Sequence, residues 1–216
     1  MKPDQHPVSD TPVVRLAGAL YLVIILCGIS GELVRSQLLP SGTPTADAIA
    51  AHLTSFRLTI VADTLMAMAD VALAIVLFKL LRPAGHLLAS LATAFRLTQA
   101  AVIGASLILL SGVPGLAQAG DDTTIRMLIT MHASGYDIGL LFFGVNALMM
   151  SALLRRSGGV PKVIAWGIGG AGLVYLTGSY LRLLAPDMIT AFQPAYLLPL
   201  VAETALCLWL LIRARI

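Results

Sequence analysis

The chain has 216 residues, of which 58% are hydrophobic and only 12% charged, with a mean hydropathy of +0.90 and a net charge of +3. A water-soluble domain carries about 25% charged residues, so this composition excludes one. It also excludes a nucleic-acid-binding domain, because the basic residues sit at the ends of apolar runs and form no separate basic region.

Residues 1–12 are polar, with Pro3, Pro7 and Pro12, and read as a flexible tail. Residues 13–34 form the first run long enough to cross the ~20-residue hydrocarbon thickness. Gly18, Gly28 and Gly31 on it suit close helix contact, and Glu32 lies near its far end. The run follows Arg15 and lacks an Ala-x-Ala ending, so it reads as a span and not a signal peptide. Residues 35–54 read as a loop containing Pro40, Gly42 and Pro44, with Thr45-Ala46-Asp47 able to start a short interfacial helix that turns Ile49 and Leu53 inward.

Spans two and three, residues 55–81 and 86–110, make an antiparallel pair joined at Arg82-Pro83-Ala84-Gly85. A loop is expected over 111–122, where Gly112, Pro114, Gly115 and Gly120 fall. Span four covers 123–154, and a short basic turn over 155–161 leads to span five at 162–184. Span six covers 195–212, and residues 13–216 thus form one all-α domain of six transmembrane helices.

One side of this arrangement collects Lys2, Arg15, Lys79, Arg82, Arg155, Arg156, Lys162, Arg213 and Arg215, the other only Arg35, Arg57, Arg126 and Arg182. The positive-inside rule then puts both termini in the cytoplasm, and an even number of spans is what termini on one side require. The repeat of Phe56-Arg57-Leu58-Thr59 as Phe95-Arg96-Leu97-Thr98 joins positions at different depths and reads as composition.

The charges inside the spans carry the functional reading, because they are costly there and mark sites or helix locks. Asp70 and Arg96 stand 13 residues before and after Pro83, so each lies about 20 Å from the turn and the two share a depth. Thr59, Asp63, Met66, Asp70 and Ala74 repeat at helical spacing, which puts both aspartates on one stripe. Arg96, Gln99 and Ser106 lie on one side of span three. On span four, His132, Tyr136, Gly139, Phe143, Asn146 and Met150 form a second stripe, with Asp137 off it. Span six offers Tyr196, Glu203 and Cys207, and span five Tyr175, Ser179 and Arg182. Asp63, His132, Glu203 and Arg96 are therefore expected to converge in the outer half of the bundle, with Arg96 as counter-charge.

No metal shell is specified, since a single histidine within the spans and scattered carboxylates do not define one. Only His132 lies well inside a span, which argues against bis-histidine haem, and no other cofactor is indicated. Cys27 and Cys207 both fall in apolar runs and indicate no disulfide framework. Gly167-Ile168-Gly169-Gly170-Ala171-Gly172 matches the dinucleotide pattern, but that motif works between a strand and a helix. Inside an apolar span its glycines serve close helix approach.

The order of short motifs adds a resemblance. Arg15-Leu16-Ala17-Gly18-Ala19-Leu20-Tyr21-Leu22, Phe56-Arg57, Ala62-Asp63, Asp70-Val71-Ala72, Leu81-Arg82-Pro83 and Phe95-Arg96-Leu97 open the series. Phe143-Gly144, Arg156-Ser157-Gly158 with Pro161, Gly172-Leu173-Val174-Tyr175-Leu176, and Ala202-Glu203 with Leu208-Trp209-Leu210-Leu211 complete it. Together they resemble the bacterial DUF4386 family of multi-pass membrane proteins, whose function is unassigned. The resemblance implies a bacterial inner-membrane location and supplies no reaction or catalytic residue. The chain departs from the family in having Ala84-Gly85-His86 after the Arg-Pro turn, where another basic residue is usual.

Three functions are compatible with these residues. The first is binding or transport of a small molecule in a polar pocket lined by Asp63, Asp70, Arg96, Gln99, His132, Tyr136 and Glu203. The second is an intramembrane enzyme acting on a lipid or quinone, although no catalytic motif is recognisable. The third is a structural or regulatory membrane subunit. The lipid bilayer is the one partner that composition names.

Overall fold

The computed structural model describes residues 11–38 and 44–216. The expected polar tail lies outside the described residues up to residue 10, as do Pro40 and Gly42 of the expected first loop. The described residues form helices α1 Thr11–Leu38, α2 Ala46–Ala51, α3 Leu53–Leu81, α4 His86–Ala119, α5 Asp122–Ser157, α6 Lys162–Leu184, α7 Ile189–Phe192 and α8 Leu197–Ile212. Six of the helical stretches are long and apolar enough to cross a membrane. They are all-α, antiparallel and ordered as a closed ring: α1 packs on α3, α3 on α4, α4 on α5, α5 on α6, α6 on α8, and α8 back on α1.

Contacts between the ends fix the two faces of the ring. Trp209 Nε1 donates to the carbonyls of Gly159 and Arg215, both at 3.1 Å, so the end of α8 meets the α5–α6 turn. Cys207 Sγ donates to the Gly18 carbonyl at 3.4 Å, which ties α8 to the first half of α1. A Cβ on Gly85 would stand 3.2 Å from Arg156 Nη1, which places the α3–α4 turn beside the same end of α5. This is the terminal face; the opposite one is the loop face.

Each half of the ring has its own core. Near the terminal face Val14, Leu77, Leu81, Leu153, Ala165 and Leu210 close the interior with apolar side chains from five helices. At the loop face α2 lies across the helix ends, and Ala46 and Ile49 pack with Phe56, Leu110, Val113 and Ile125. Thr45 caps α2 by accepting from the Ala48 amide at 3.3 Å, and Asp122 Oδ1 accepts from the Ala46 amide at 2.6 Å.

Two stretches expected as loop are helical. Helix α1 runs on to Leu38 and carries Arg35 in its last turn, where the sequence reading has a loop from residue 35. Helix α4 runs through Pro114 to Ala119, and ends at Gly120 with φ +74°, in the left-handed region. Pro114 removes one backbone donor. The continued turns nevertheless bury Val113, Pro114 and Ala117, and tertiary packing of this kind overrides a local breaker.

The glycines set the closest approaches. A Cβ on Gly172 would stand 2.7 Å from the Gly144 carbonyl oxygen, and one on Gly144 2.9 Å from the Gly172 carbonyl oxygen, so α5 and α6 touch backbone to backbone. The dinucleotide-like run is thus a packing surface. Gly28 and Gly31 of α1 instead make room for side chains of α3, those of Met66 and Asp63.

Candidate functional site

The centre of the site is Arg96, 1% exposed on α4. Its Nη2 donates to Asp70 Oδ1 of α3 at 2.5 Å, and Gln99 Nε2 donates to the other Asp70 oxygen at 3.0 Å. The depth match read from the sequence is therefore a direct ion pair with a glutamine one turn along. The rings of Tyr21 from α1 and Phe143 from α5 lie 5.3 and 5.2 Å from the guanidinium carbon, within cation–π range. Tyr175 of α6 packs on Phe143 at 5.2 Å and donates to Glu203 Oε1 of α8 at 2.7 Å. Glu203 lies within electrostatic range of Arg96 and Asp70. Side chains from α1, α3 and α5 thus meet the guanidinium of α4, and Phe143 links it to Tyr175 of α6 and Glu203 of α8.

A second group lies toward the loop face. Asp63, 1% exposed, is ion-paired with Arg35 of α1, which also faces Glu32 at 3.5 Å. His132 Nδ1 is hydrogen-bonded to Ser106 Oγ at 3.0 Å, and its ring stands edge-on to Tyr136 at 6.2 Å.

Of the seven residues singled out in the sequence, Asp63, Asp70, Arg96, Gln99 and His132 are buried and Tyr136 and Glu203 half-buried, and they do not bond as one cluster. Asp63 takes Arg35, His132 takes Ser106 and Glu203 takes Tyr175. Sequence reasoning missed Arg35 and Tyr21. Tyr21 shares helical spacing with buried Val14 and Ala17 and with Gly28, and that stripe is the signal that finds it. It also missed the partner of Asp137, which is Arg182 of α6 at 3.3 Å, away from the Arg96 level.

Polar atoms at the centre remain without a hydrogen-bond partner among the described residues: Arg96 Nε and Nη1, Gln99 Oε1 and Asn146 Oδ1. Asn146 uses its Nδ2 on the Ala92 carbonyl, at 2.7 Å. Arg96 and Asn146 also border a cavity of about 10 Å³, room for roughly one water, on the terminal-face side of the ion pair. Among the described residues no group of three or more His, Cys, Asp or Glu is placed to hold a metal ion.

Six apolar spans closed around a buried ion pair define a multi-pass helical membrane protein. The chain belongs to the DUF4386 family, a domain of unknown function, whose family model matches residues 16–214. Comparison with the curated proteins and with the solved structures found no match.

Proposed function

We propose that this is a protein of the bacterial inner membrane, with both termini in the cytoplasm, that binds a small polar molecule between the Arg96 level and the loop face and carries it across. The observation that supports this is Arg96, buried among Tyr21, Asp70 and Phe143 of three other spans, with Nε and Nη1 without a hydrogen-bond partner among the described residues. A helix lock satisfies its charges, because an unpaired polar atom in a dry interior costs about 1–3 kcal/mol. A site keeps donors for its ligand. Glu203 and Tyr175, hydrogen-bonded to each other, and Tyr136 beside His132 are half-buried and would supply the polar lining of such a site. Arg96 suits an anionic group on the ligand, and the carboxylates of Asp63, Asp70 and Glu203 suit exchange of a proton with it. The apolar core at the terminal face closes the other end, as alternating access requires of one conformation.

One observation favours a structural subunit instead: the cavity beside Arg96 holds only about 10 Å³. A thermal-shift screen of the purified protein against small carboxylates, phosphates and amino acids separates the two. A compound that raises the Tm of the wild type, but not of Glu203→Gln or Arg96→Lys, supports the binding site. Counterflow in proteoliposomes then tests transport of that compound. If nothing stabilises the wild type, or every hit shifts the variants equally, the site reading fails and the structural one stands.

A further inference from the structure

We infer that the lipid-facing groove between α3 and α4 is a binding site for one glycerophospholipid of the loop-face leaflet. The groove is shallow and open to the outside, holds about 440 Å³ and is walled by Thr64, Met68 and Val71 of α3 and by Ala101, Gly104 and Ile108 of α4. It is separate from the polar interior. A Cβ on Gly104 would meet nothing within 4 Å, so the α4 wall is open there.

The lining asks for no polar partner. Thr64 Oγ1 donates to the Ile60 carbonyl at 2.8 Å, and Ser111 Oγ, at the loop-face end, donates to the Ile108 carbonyl at 2.7 Å. Both hydroxyls are satisfied within their own helices, and an acyl chain meets only apolar surface.

The head of the groove carries the charge that selects the occupant. Arg57 lies one turn into α3, seven residues before Thr64, eleven before Met68 and fourteen before Val71, so it stands on the stripe that walls the groove. It is exposed, and none of the ion pairs among the described residues uses it. From Arg57 to Val71 the rise is about 21 Å, enough to run from the interfacial region past the middle of a ~30 Å hydrocarbon core. A phosphate on the guanidinium and an acyl chain below it match this order of charge and apolar surface. A second copy of the chain fits less well, because a two-fold pairing across the groove brings Arg57 toward its own copy.

Native mass spectrometry tests the site. Delipidated wild-type protein in mild detergent is titrated with palmitoyl-oleoyl phosphatidylglycerol, alone and with millimolar glycerol 3-phosphate. The wild type is expected to bind one lipid more tightly than the rest, and glycerol 3-phosphate should not displace it. Arg57→Gln should weaken that binding about tenfold, the loss of one charge-assisted contact. Gly104→Leu, which fills the groove, should abolish it, and Ile108→Trp reads the same groove should Gly104→Leu fail to fold. Lipid binding unchanged in the groove-filling variant overturns the proposal. So does displacement by glycerol 3-phosphate alone, or a wild-type dimer that the groove-filling variant converts to monomer.

Discussion

Asp70 and Arg96 close on each other at 2.5 Å from neighbouring helices, with side chains only 4% and 2% exposed. Burying two charges is expensive, and their attraction roughly offsets that cost only while both remain. Arg96→Ala strands the Asp70 carboxylate and should destabilise the protein by about 3–5 kcal/mol. Removing both partners with Asp70→Ala and Arg96→Ala should cost clearly less than the sum of the two single changes. Unfolding in mixed micelles measures the cycle; additive losses would show that the pair is not coupled.

The Arg35–Asp63 pair makes a different prediction, because its neighbour Glu32 is exposed. The Asp63 side chain is 2% exposed, whereas that of Glu32 is 78% exposed. Arg35→Gln should therefore cost about 2 kcal/mol by stripping a buried carboxylate of its charged donor. Glu32→Gln should cost less than about 1 kcal/mol, as an exposed ion pair does. Tm values of the two variants in the same detergent rank them, and equal losses would count against a buried role for Asp63.

The α5–α6 contact can be tested at Gly172. Its Cβ would press on the Gly144 carbonyl oxygen at 2.7 Å and on Ala147 Cβ at 3.2 Å, and backbone cannot move aside as a side chain can. Gly172→Ala should cost about 1–3 kcal/mol through overpacking. Gly104→Ala, with nothing within 4 Å, should be neutral or mildly stabilising in the same measurement.

What could be read from the sequence follows from what helical periodicity encodes. The stripe of Asp63 and Asp70 and that of His132, Phe143 and Asn146 are buried as their spacing requires. The Asp70–Arg96 pairing was legible because a short turn fixes the relative height of two helices. The longer connection between α6 and α8 leaves the rotation of one against the other to packing, so Tyr175 as the partner of Glu203 was not legible. Arg35 was misplaced because nothing local marks the end of α1, and the helix carries it inward to Asp63. Pro114 misled for the opposite reason: a strong local breaker sits where buried apolar neighbours keep the helix going. The stripe of Val14, Ala17 and Tyr21 marks the tyrosine as inward-facing, but its place beside Arg96 depends on how α1 is rotated against α4 and was not legible.

Asp121, in the turn outside the spans, gives the one prediction in which pH is the variable. It caps α5: Oδ1 accepts from the Thr124 amide at 3.0 Å and Oδ2 from the Thr124 hydroxyl at 2.6 Å. These bonds, the hydroxyl first, favour the charged carboxylate and hold it below its ordinary value of 3.8, with Arg126 adding its charge. A carboxyl group lowered in the folded state adds stability that is complete above the ordinary value and fades as pH falls through it toward the folded value. Asp121→Ala should therefore lower the Tm by roughly a few degrees at pH 7, the usual effect of losing an N-cap. The gap between wild type and variant should hold down to about pH 5 and narrow toward pH 3. Other acids, including neighbouring Asp122, titrate in both proteins and cancel from the difference. A gap that stays constant across that range would mean that the cap acts through its shape and not through its charge.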